Sequence, residues 1–438
     1  MDYVTLYCSQ TSPRLKYITS LLFNELLGIQ FEITTDEQTY VGSKSAKINY
    51  SNRPELPGYY IKPHSLLFEK DIKQFKTSVI KHAGTSKILF GDTNSFDIFA
   101  SSFYLVSRYE EYLPFERDDH NRFTAPQSCL TRLNIMHRPL VNEWTLELRD
   151  ALSEAYPTLT YKPRLFEYIS TIDIDQAWKY KHKGFLRSLG GLIRDASQSD
   201  WDEVKSRIGV LTGKSEDPFY NFDWQREIHR QYDIDVQYFM QVGKYGKFDK
   251  NTSIENIDFQ RLIIQLDKEQ KVGIHPSYRS NKEAEMVRRE HQALEHIVAD
   301  DIQVSRQHFL MHEMPETYQR LLDIGINEDY TMGYSTHMGF RAGIAAPFKF
   351  FDLSKNRPTE LTLVPFCCMD ITPLHYDHLS PEDSVTVLKK QIDLVHSVGG
   401  LYVSLWHNES LSESGRWKGW RTVYEEMIVY INGLSNNE

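Results

Sequence analysis

Leu165-Phe166-Glu167-Tyr168-Ile169-Ser170-Thr171-Ile172-Asp173-Ile174-Asp175 is an apolar run that ends in two carboxylates. A short, β-branched and aromatic stretch of this kind reads as a buried strand. Side chains alternate across a strand, so Asp173 and Asp175 are expected on one side of it. Two acids held together at a strand's C-terminal edge suit a metal ligand beside a general base, or a pair whose pKa values are pushed apart for proton transfer. The plainer alternative is that one caps the following helix and the other pairs with a basic residue.

Working outward, alternation of strands and helices continues to the C-terminus. Strands are expected at 165–175, 235–242, 272–275, 302–306, near 329–334, 361–368 and 401–407, with helices at Lys282–Val298, Glu316–Leu322 and Glu382–Val398 between them. About seven such units predict a parallel α/β sheet rolled into a (β/α) barrel. Toward the N-terminus the signals are mixed. They include a strand at Val4–Cys8, a helix at Tyr17–Leu26, a strand at Phe31–Thr35, and helices over 95–112 and Pro139–Ala155. Arg108-Tyr109-Glu110-Glu111 could line a site, although a helix end with solvated or ion-paired charges is the commoner fate of such residues. Arg117-Asp118-Asp119-His120-Asn121-Arg122 reads as a polar loop. The stretch from Tyr156-Pro157 to Lys162-Pro163 is a plausible boundary, giving a smaller α/β domain over 1–160 and the barrel over 161–438.

Composition narrows the function. A chain of 438 residues exceeds what one core of ~250 to 300 residues accommodates, which favours two domains. The formal net charge is −10 and the basic residues are scattered, which speaks against a nucleic-acid or membrane-surface role and for a small or glycan substrate. Met1-Asp2-Tyr3-Val4-Thr5-Leu6-Tyr7-Cys8 lacks the basic start of a signal peptide, and no apolar run approaches the ~20 residues of a membrane span. The four cysteines, Cys8, Cys129 and the adjacent Cys367-Cys368, match neither a disulfide framework nor zinc spacing. The expectation is a cytoplasmic enzyme with reduced thiols.

The ends of the other strands carry further chemistry. Val272-Gly273-Ile274 runs into His275-Pro276-Ser277-Tyr278-Arg279, with Pro276 restricting the backbone at His275. Ser305-Arg306-Gln307-His308 follows, then Asp329-Tyr330-Thr331, then Gly339-Phe340-Arg341-Ala342-Gly343, and last Leu405-Trp406-His407. A structural histidine or a solvated arginine explains any one of these, but five strand ends in register favour an active site. Tyr278, Tyr334, Phe340, Trp406, Trp417 and Trp420 are aromatics that could stack on sugar faces, and of these Trp406 and Tyr278 are assigned to the site.

The motifs, in this order, resemble those of the polysaccharide deacetylase family, the NodB-homology domains of carbohydrate esterase family 4. That family's pattern is Thr-Phe-Asp-Asp, His-(Ser/Thr)-x-x-His, an Arg-x-x-Tyr/Phe strand, an Asp/Trp motif and a late Leu-x-x-His. The resemblance covers about residue 165 to 438. It places Thr171-Ile172-Asp173-Ile174-Asp175 first, His275 to Arg279 second, Arg306 to Phe309 third, the segment around Asp329 fourth and Leu405-Trp406-His407 fifth. The part before it looks like a domain of unknown function found ahead of bacterial deacetylases of this subtype.

The resemblance implies a hydrolase of non-peptide C–N bonds that removes an N-acetyl or O-acetyl group from a sugar or glycan, using a divalent metal, with zinc foremost. By position, Asp173 looks like the base, Asp175 and His275 like metal ligands, Arg306 like the group orienting Asp173, and His407 like the acid. The two aspartates could exchange roles, because Ile174 separates acids that are adjacent in the family. Tyr278, Arg279, Asp329, Arg341 and Trp406 would contact substrate. The departure is Arg279, which stands where the family has its second ligand histidine and cannot ligate metal. Three readings follow: another group, His308 first, completes the site; Arg279 supplies the positive charge without metal; or the domain binds glycan without hydrolysing it. Hydrolysis of a non-sugar C–N bond is a further enzyme alternative.

Overall fold

The computed structural model describes residues 3–82, 85–92, 95–162 and 164–435. Met1-Asp2 and Pro163, which entered the readings of the N-terminus and of the boundary, lie outside the described residues.

The chain opens with a four-stranded parallel sheet of β1 (Tyr3–Cys8), β2 (Gln30–Thr34), β3 (Ala46–Tyr50) and β4 (Tyr59–Tyr60), in the order β2-β1-β3-β4. The first helix begins at Pro13, earlier than the expected Tyr17, because Ser12 caps it through a bond from the Leu15 amide and Pro13 sits in its first turn. Its last turns, Leu21–Leu26, widen to π geometry. Two small antiparallel hairpins follow, β5 (Ser78–His82) with β6 (Thr85–Leu89) and β7 (Gly91–Asp92) with β8 (Ser95–Phe96). The long helix expected over 95–112 is a helix at Ile98–Val106, capped by Asp97, and then a separate turn at Tyr109–Tyr112. Arg108 between them adopts φ 51°, which breaks the helix. The Leu140–Ala155 helix matches its expectation, and no helix or strand lies between it and Glu167 among the described residues.

The second sheet is built from β9 (Glu167–Ile174), β10 (Val236–Met240), β11 (Val272–Ile274), β12 (Val304–Ser305), β13 (Glu328–Asp329), β14 (Phe348–Asp352), β15 (Arg357–Leu363), β16 (Cys368–Met369) and β17 (Leu401–His407). Its order is β14-β15-β13-β12-β11-β10-β9-β17-β16, parallel throughout except for the β14–β15 pair. The sheet curls into a half-barrel with edges at β14 and β16; a closed barrel does not form among the described residues. Uniform β/α alternation concealed the antiparallel pair, whose strands are joined by a tight loop with Asn356 at φ 48°. The expected strand at 361–368 is two strands, β15 and β16, separated by the Val364–Cys367 crossing. The expected stretch at 302–306 shrinks to Val304–Ser305, and the one expected near 329–334 is shorter and earlier, at Glu328–Asp329.

Strand parity decides what reaches the mouth. Ile169, Phe239, Val304, Tyr330, Leu401, Val403 and Leu405 pack together inside the curl. Alternation then places Thr171, Asp173, Arg306 and His407 on the same inner side. The outer face belongs to a much larger apolar core that also includes Val4, Leu6, Phe99 and Phe103 of the N-terminal region. Across this junction Tyr17 and Phe103 pack on Phe351, with ring centroids 5.1 and 5.0 Å apart respectively, and the Tyr17 hydroxyl donates to the Lys349 carbonyl at 2.6 Å. All four cysteines are buried and free. No described helix is long and apolar enough to cross a membrane.

Candidate active site

At the C-terminal ends of the inner strands lies a cavity of about 220 Å³. Its walls include Asp173, Asp175, His275, His308, His407 and Glu409. β9 ends one residue before Asp175, and β17 pairs with it in register so that His407 stands opposite Asp173. A larger cavity of about 760 Å³, between the first helix and β14–β15, has neither a histidine nor an aspartate in its walls; the cluster of histidines and aspartates lines the smaller one.

Three groups converge. Asp175 Oδ1 is 3.3 Å from His275 Nε2, and Asp175 Oδ2 is 3.3 Å from His308 Nε2. One ligand atom from each of the three lies within 4.8 Å of the others. The far side of each imidazole is fixed. His275 Nδ1 sits 2.6 Å from the Arg306 carbonyl oxygen and His308 Nδ1 sits 3.1 Å from Asp249 Oδ1. The carbonyl requires N–H at His275 Nδ1, which leaves His275 Nε2 with its lone pair toward Asp175, while His308 Nδ1 lies between Asp249 Oδ1 and the Gln241 amide nitrogen, 2.8 Å away. Asp175 Oδ1 is buried and has no hydrogen-bond partner. Two imidazole nitrogens and an orphaned carboxylate oxygen form a donor set that fits a divalent cation such as zinc. Burial raises the Asp175 pKa, but His308 and His275 outweigh it and hold the carboxyl well below its usual range. Burial likewise lowers His308, yet Asp175 and Asp249 push it up to about 9, so a cation bound at Nε2 would take the place of a proton that the two carboxylates favour.

Asp173 is held differently. Arg306 Nη1 donates to Asp173 Oδ1 at 2.8 Å, while its Nη2 donates to Thr171 Oγ1 at 2.7 Å and its Nε to the Tyr330 carbonyl at 3.0 Å. The guanidinium is fully buried over the Phe239 ring, 4.5 Å from its centroid. Asp173 Oδ2 remains directed at the cavity, 3.7 Å from His275 Nε2.

His407 faces these groups from β17, with Nε2 3.9 Å from Asp175 Oδ2. Behind it, Asp370 accepts from the His407 amide at 2.8 Å and lies 3.1 Å from Nδ1. Burial lowers the His407 pKa, but Asp370, Asp175 and Asp173 outweigh it and raise it to about 10, which keeps the ring protonated at neutral pH. Asp370→Asn is therefore expected to remove most of this support and cost kcat about tenfold to a hundredfold, with KM little changed. Steady-state kinetics beside a melting curve decides it; an unchanged kcat would rule out the pairing as functional.

Of the residues anticipated from sequence, Asp173, Asp175, His275, Arg306, His308 and His407 share this site, and five do not line it. Asp329 is fully buried on the outer side of β13, accepting from Ser305 and Thr331 hydroxyls at 2.8 and 2.9 Å. Its parity is opposite to that of Tyr330, and burial raises its pKa to about 6. The aspartate that partners the late histidine is Asp370. Trp406 has the outer parity of β17 and packs against Tyr424, its ring centroid 4.9 Å away. Arg341 is buried in an ion pair with Glu111 at 2.7 Å. Arg279 is exposed and lies outside the cavity wall. Tyr278 packs tilted against Phe248, ring centroids 4.2 Å apart, and supports the wall through His120. The aromatic that does line the cavity is Trp417, with Tyr376 and Phe309.

Asp249, Asp370 and Glu409 escaped the sequence reading. Asp370 and Glu409 each follow closely on a strand, at Met369 and His407, which was the available signal. Asp249 lies in a loop with no such cue.

Comparison with known proteins gives three findings. A family of unknown function (DUF7033) matches residues 4–157. No curated protein sequence matches the chain significantly. Among solved structures, similarity is found to a candidate polysaccharide deacetylase from Mycobacterium smegmatis (13% identity, TM-score 0.39) and to PuuE allantoinase (10%, TM-score 0.38), each alignment covering 61% of this chain and 84% of the other. A mutant of a CE4 family pseudoenzyme with restored enzymatic activity is also similar, at 13% identity and TM-score 0.30, covering 63% of this chain and 65% of that one.

Proposed function

We propose that the chain is a metal-dependent hydrolase that removes an acetyl group from an acetylated amino sugar or a related glycan. The observation that carries this reading is the convergence of Asp175, His275 and His308 beside an Arg-held Asp173 and an Asp-held His407 in one cavity.

A divalent cation held by Asp175, His275 and His308 would polarise the acyl carbonyl and make water a better nucleophile. The chain's own residues do the rest. Asp173, oriented through Oδ1 by Arg306, has Oδ2 toward the cavity and takes the proton of the attacking water. The water oxygen bonds to the acyl carbon, the C–N bond breaks, and protonated His407 delivers its proton to the departing amine nitrogen. The products are a carboxylate and a free amine. Trp417 and Tyr376 offer flat apolar faces on which a sugar ring can stack, while His407, Glu409 and the metal-binding groups supply polar contacts. In this reading His308, from the neighbouring strand end, takes the ligand part that Arg279 cannot, its Nε2 3.3 Å from Asp175 Oδ2.

Acetate release from a panel of N-acetylated sugars tests this. Chelation is expected to lower the rate at least about a hundredfold and one equivalent of zinc to restore it. Release that survives complete metal removal, or saturable glycan binding with no turnover across the panel, would overturn the proposal.

A further inference from the structure

The polar loop Arg117 to Arg122 belongs to the N-terminal region, yet His120 and Arg122 stand in the wall of the cavity. The loop is stiff. Arg117 and Phe123 pair across it, and Asn121 adopts φ 64° at its tip. Asp118 Oδ1 accepts from the His120 and Arg122 amides at 3.0 and 2.8 Å, and its Oδ2 accepts from Arg122 Nε at 2.9 Å. The Arg122 guanidinium is thereby fixed, and its Nη1 donates to the Phe309 carbonyl at 2.7 Å. The His120 ring lies 5.0 Å from the Phe309 ring, with Nδ1 3.1 Å from the Tyr278 hydroxyl. A second anchor joins Arg117 to Glu313 at 2.7 Å.

The segment so gripped is unusual. Phe309 and Leu310 both adopt left-handed backbone angles, φ 59° and 51°, which residues bearing a Cβ disfavour. Consecutive residues in this state persist where surrounding contacts over-determine them. Phe309 directly follows His308, so the direction of the His308 side chain depends on this turn being kept.

We infer that the 117–123 loop positions His308: by clamping the left-handed turn through Arg122 and His120, the N-terminal region sets the metal affinity of a site otherwise built on the nine-stranded sheet. The inference rests on the proposed reading of His308 as a ligand. It gives the N-terminal region a task, and makes Arg122 and His120 positioning residues.

Zinc titration by calorimetry into the metal-stripped full chain tests it, using wild type, Arg122→Ala, Arg122→Lys, His120→Ala and His308→Ala, each with its melting temperature. Arg122→Ala is expected to bind zinc about 10- to 100-fold more weakly, the range seen when groups supporting a ligand are lost. His120→Ala should weaken it in the same direction, and Arg122→Lys should recover part of the loss because an ammonium can still donate to the Phe309 carbonyl. The visible spectrum of the cobalt-loaded protein should change in Arg122→Ala, reporting altered ligand geometry. Wild-type affinity in both Arg122→Ala and His120→Ala, while His308→Ala fails to bind, overturns the inference and leaves the ligand reading standing. Loss of affinity that tracks a fall in melting temperature, without recovery in Arg122→Lys, also overturns it. Wild-type affinity in His308→Ala removes the ligand reading, and this inference falls with it.

Discussion

Asp173→Asn is expected to lower kcat by about 10² to 10⁴ while zinc content stays at the wild-type level. The amide keeps the shape of the carboxylate and retains one oxygen to accept from Arg306 Nη1, but it cannot take a proton from water. Asp175→Asn should do the opposite, reducing zinc content first, because Asp175 lies 3.3 Å from both ring nitrogens of the donor set. The pair of variants thereby separates the two acids' roles, which the spacing Asp-Ile-Asp left open. If Asp175→Asn retained zinc and Asp173→Asn lost it, the assignments would be exchanged. One complication has a known direction. Arg306 is buried, and removing its counter-charge is expected to cost stability of about 3 to 5 kcal/mol. Activities should therefore be compared at a temperature where both proteins remain folded.

Much of this site was legible because strand parity is a rigid rule. A period of two sets Asp173 on the inner side of β9 and His407 on the matching side of β17, and Asp175, one residue past the end of β9, continues toward the same cavity. The same rule, carried one step further, would have excluded Trp406 and Asp329, whose neighbours His407 and Tyr330 point inward. What could not be read is whatever depends on loops. The delivery of His308 rests on two left-handed residues, Phe309 and Leu310, with no glycine to announce them. Asp249 reaches His308 from a loop that follows β10, and its partner Gln241, which donates to it at 2.9 Å, carries no signal of its own. The fold was legible in its repeating units. Its antiparallel β14–β15 edge was not, since a short apolar pair in a β/α series looks like one more parallel unit.

A large stability effect is also expected at Glu111→Gln, in the stretch read as either a site or a charged helix end. It is an ion-pair network, and a buried one. Glu111 Oε1 accepts from Arg108 Nε at 2.8 Å and from Arg341 Nε at 2.9 Å, and Oε2 accepts from Arg341 Nη2 at 2.7 Å. Arg108 also donates to Glu110 at 3.0 Å and to the Arg341 carbonyl, tying the N-terminal region to the loop after β13. One carboxylate thus separates two fully desolvated guanidiniums. Its removal leaves like charges facing each other with no water to screen them, and a loss of about 3 to 5 kcal/mol is expected by urea denaturation. Burial raises the Glu111 pKa, but Arg341 and Arg108 outweigh it and hold it well below the usual carboxylate range. A depressed folded-state pKa stabilises the protein fully above the ordinary glutamate value and loses that contribution as pH falls toward the folded one. The gap between wild type and Glu111→Gln should accordingly be widest near neutral pH and narrow in acid. Equal stability of the two proteins at neutral pH would show that the network contributes orientation alone.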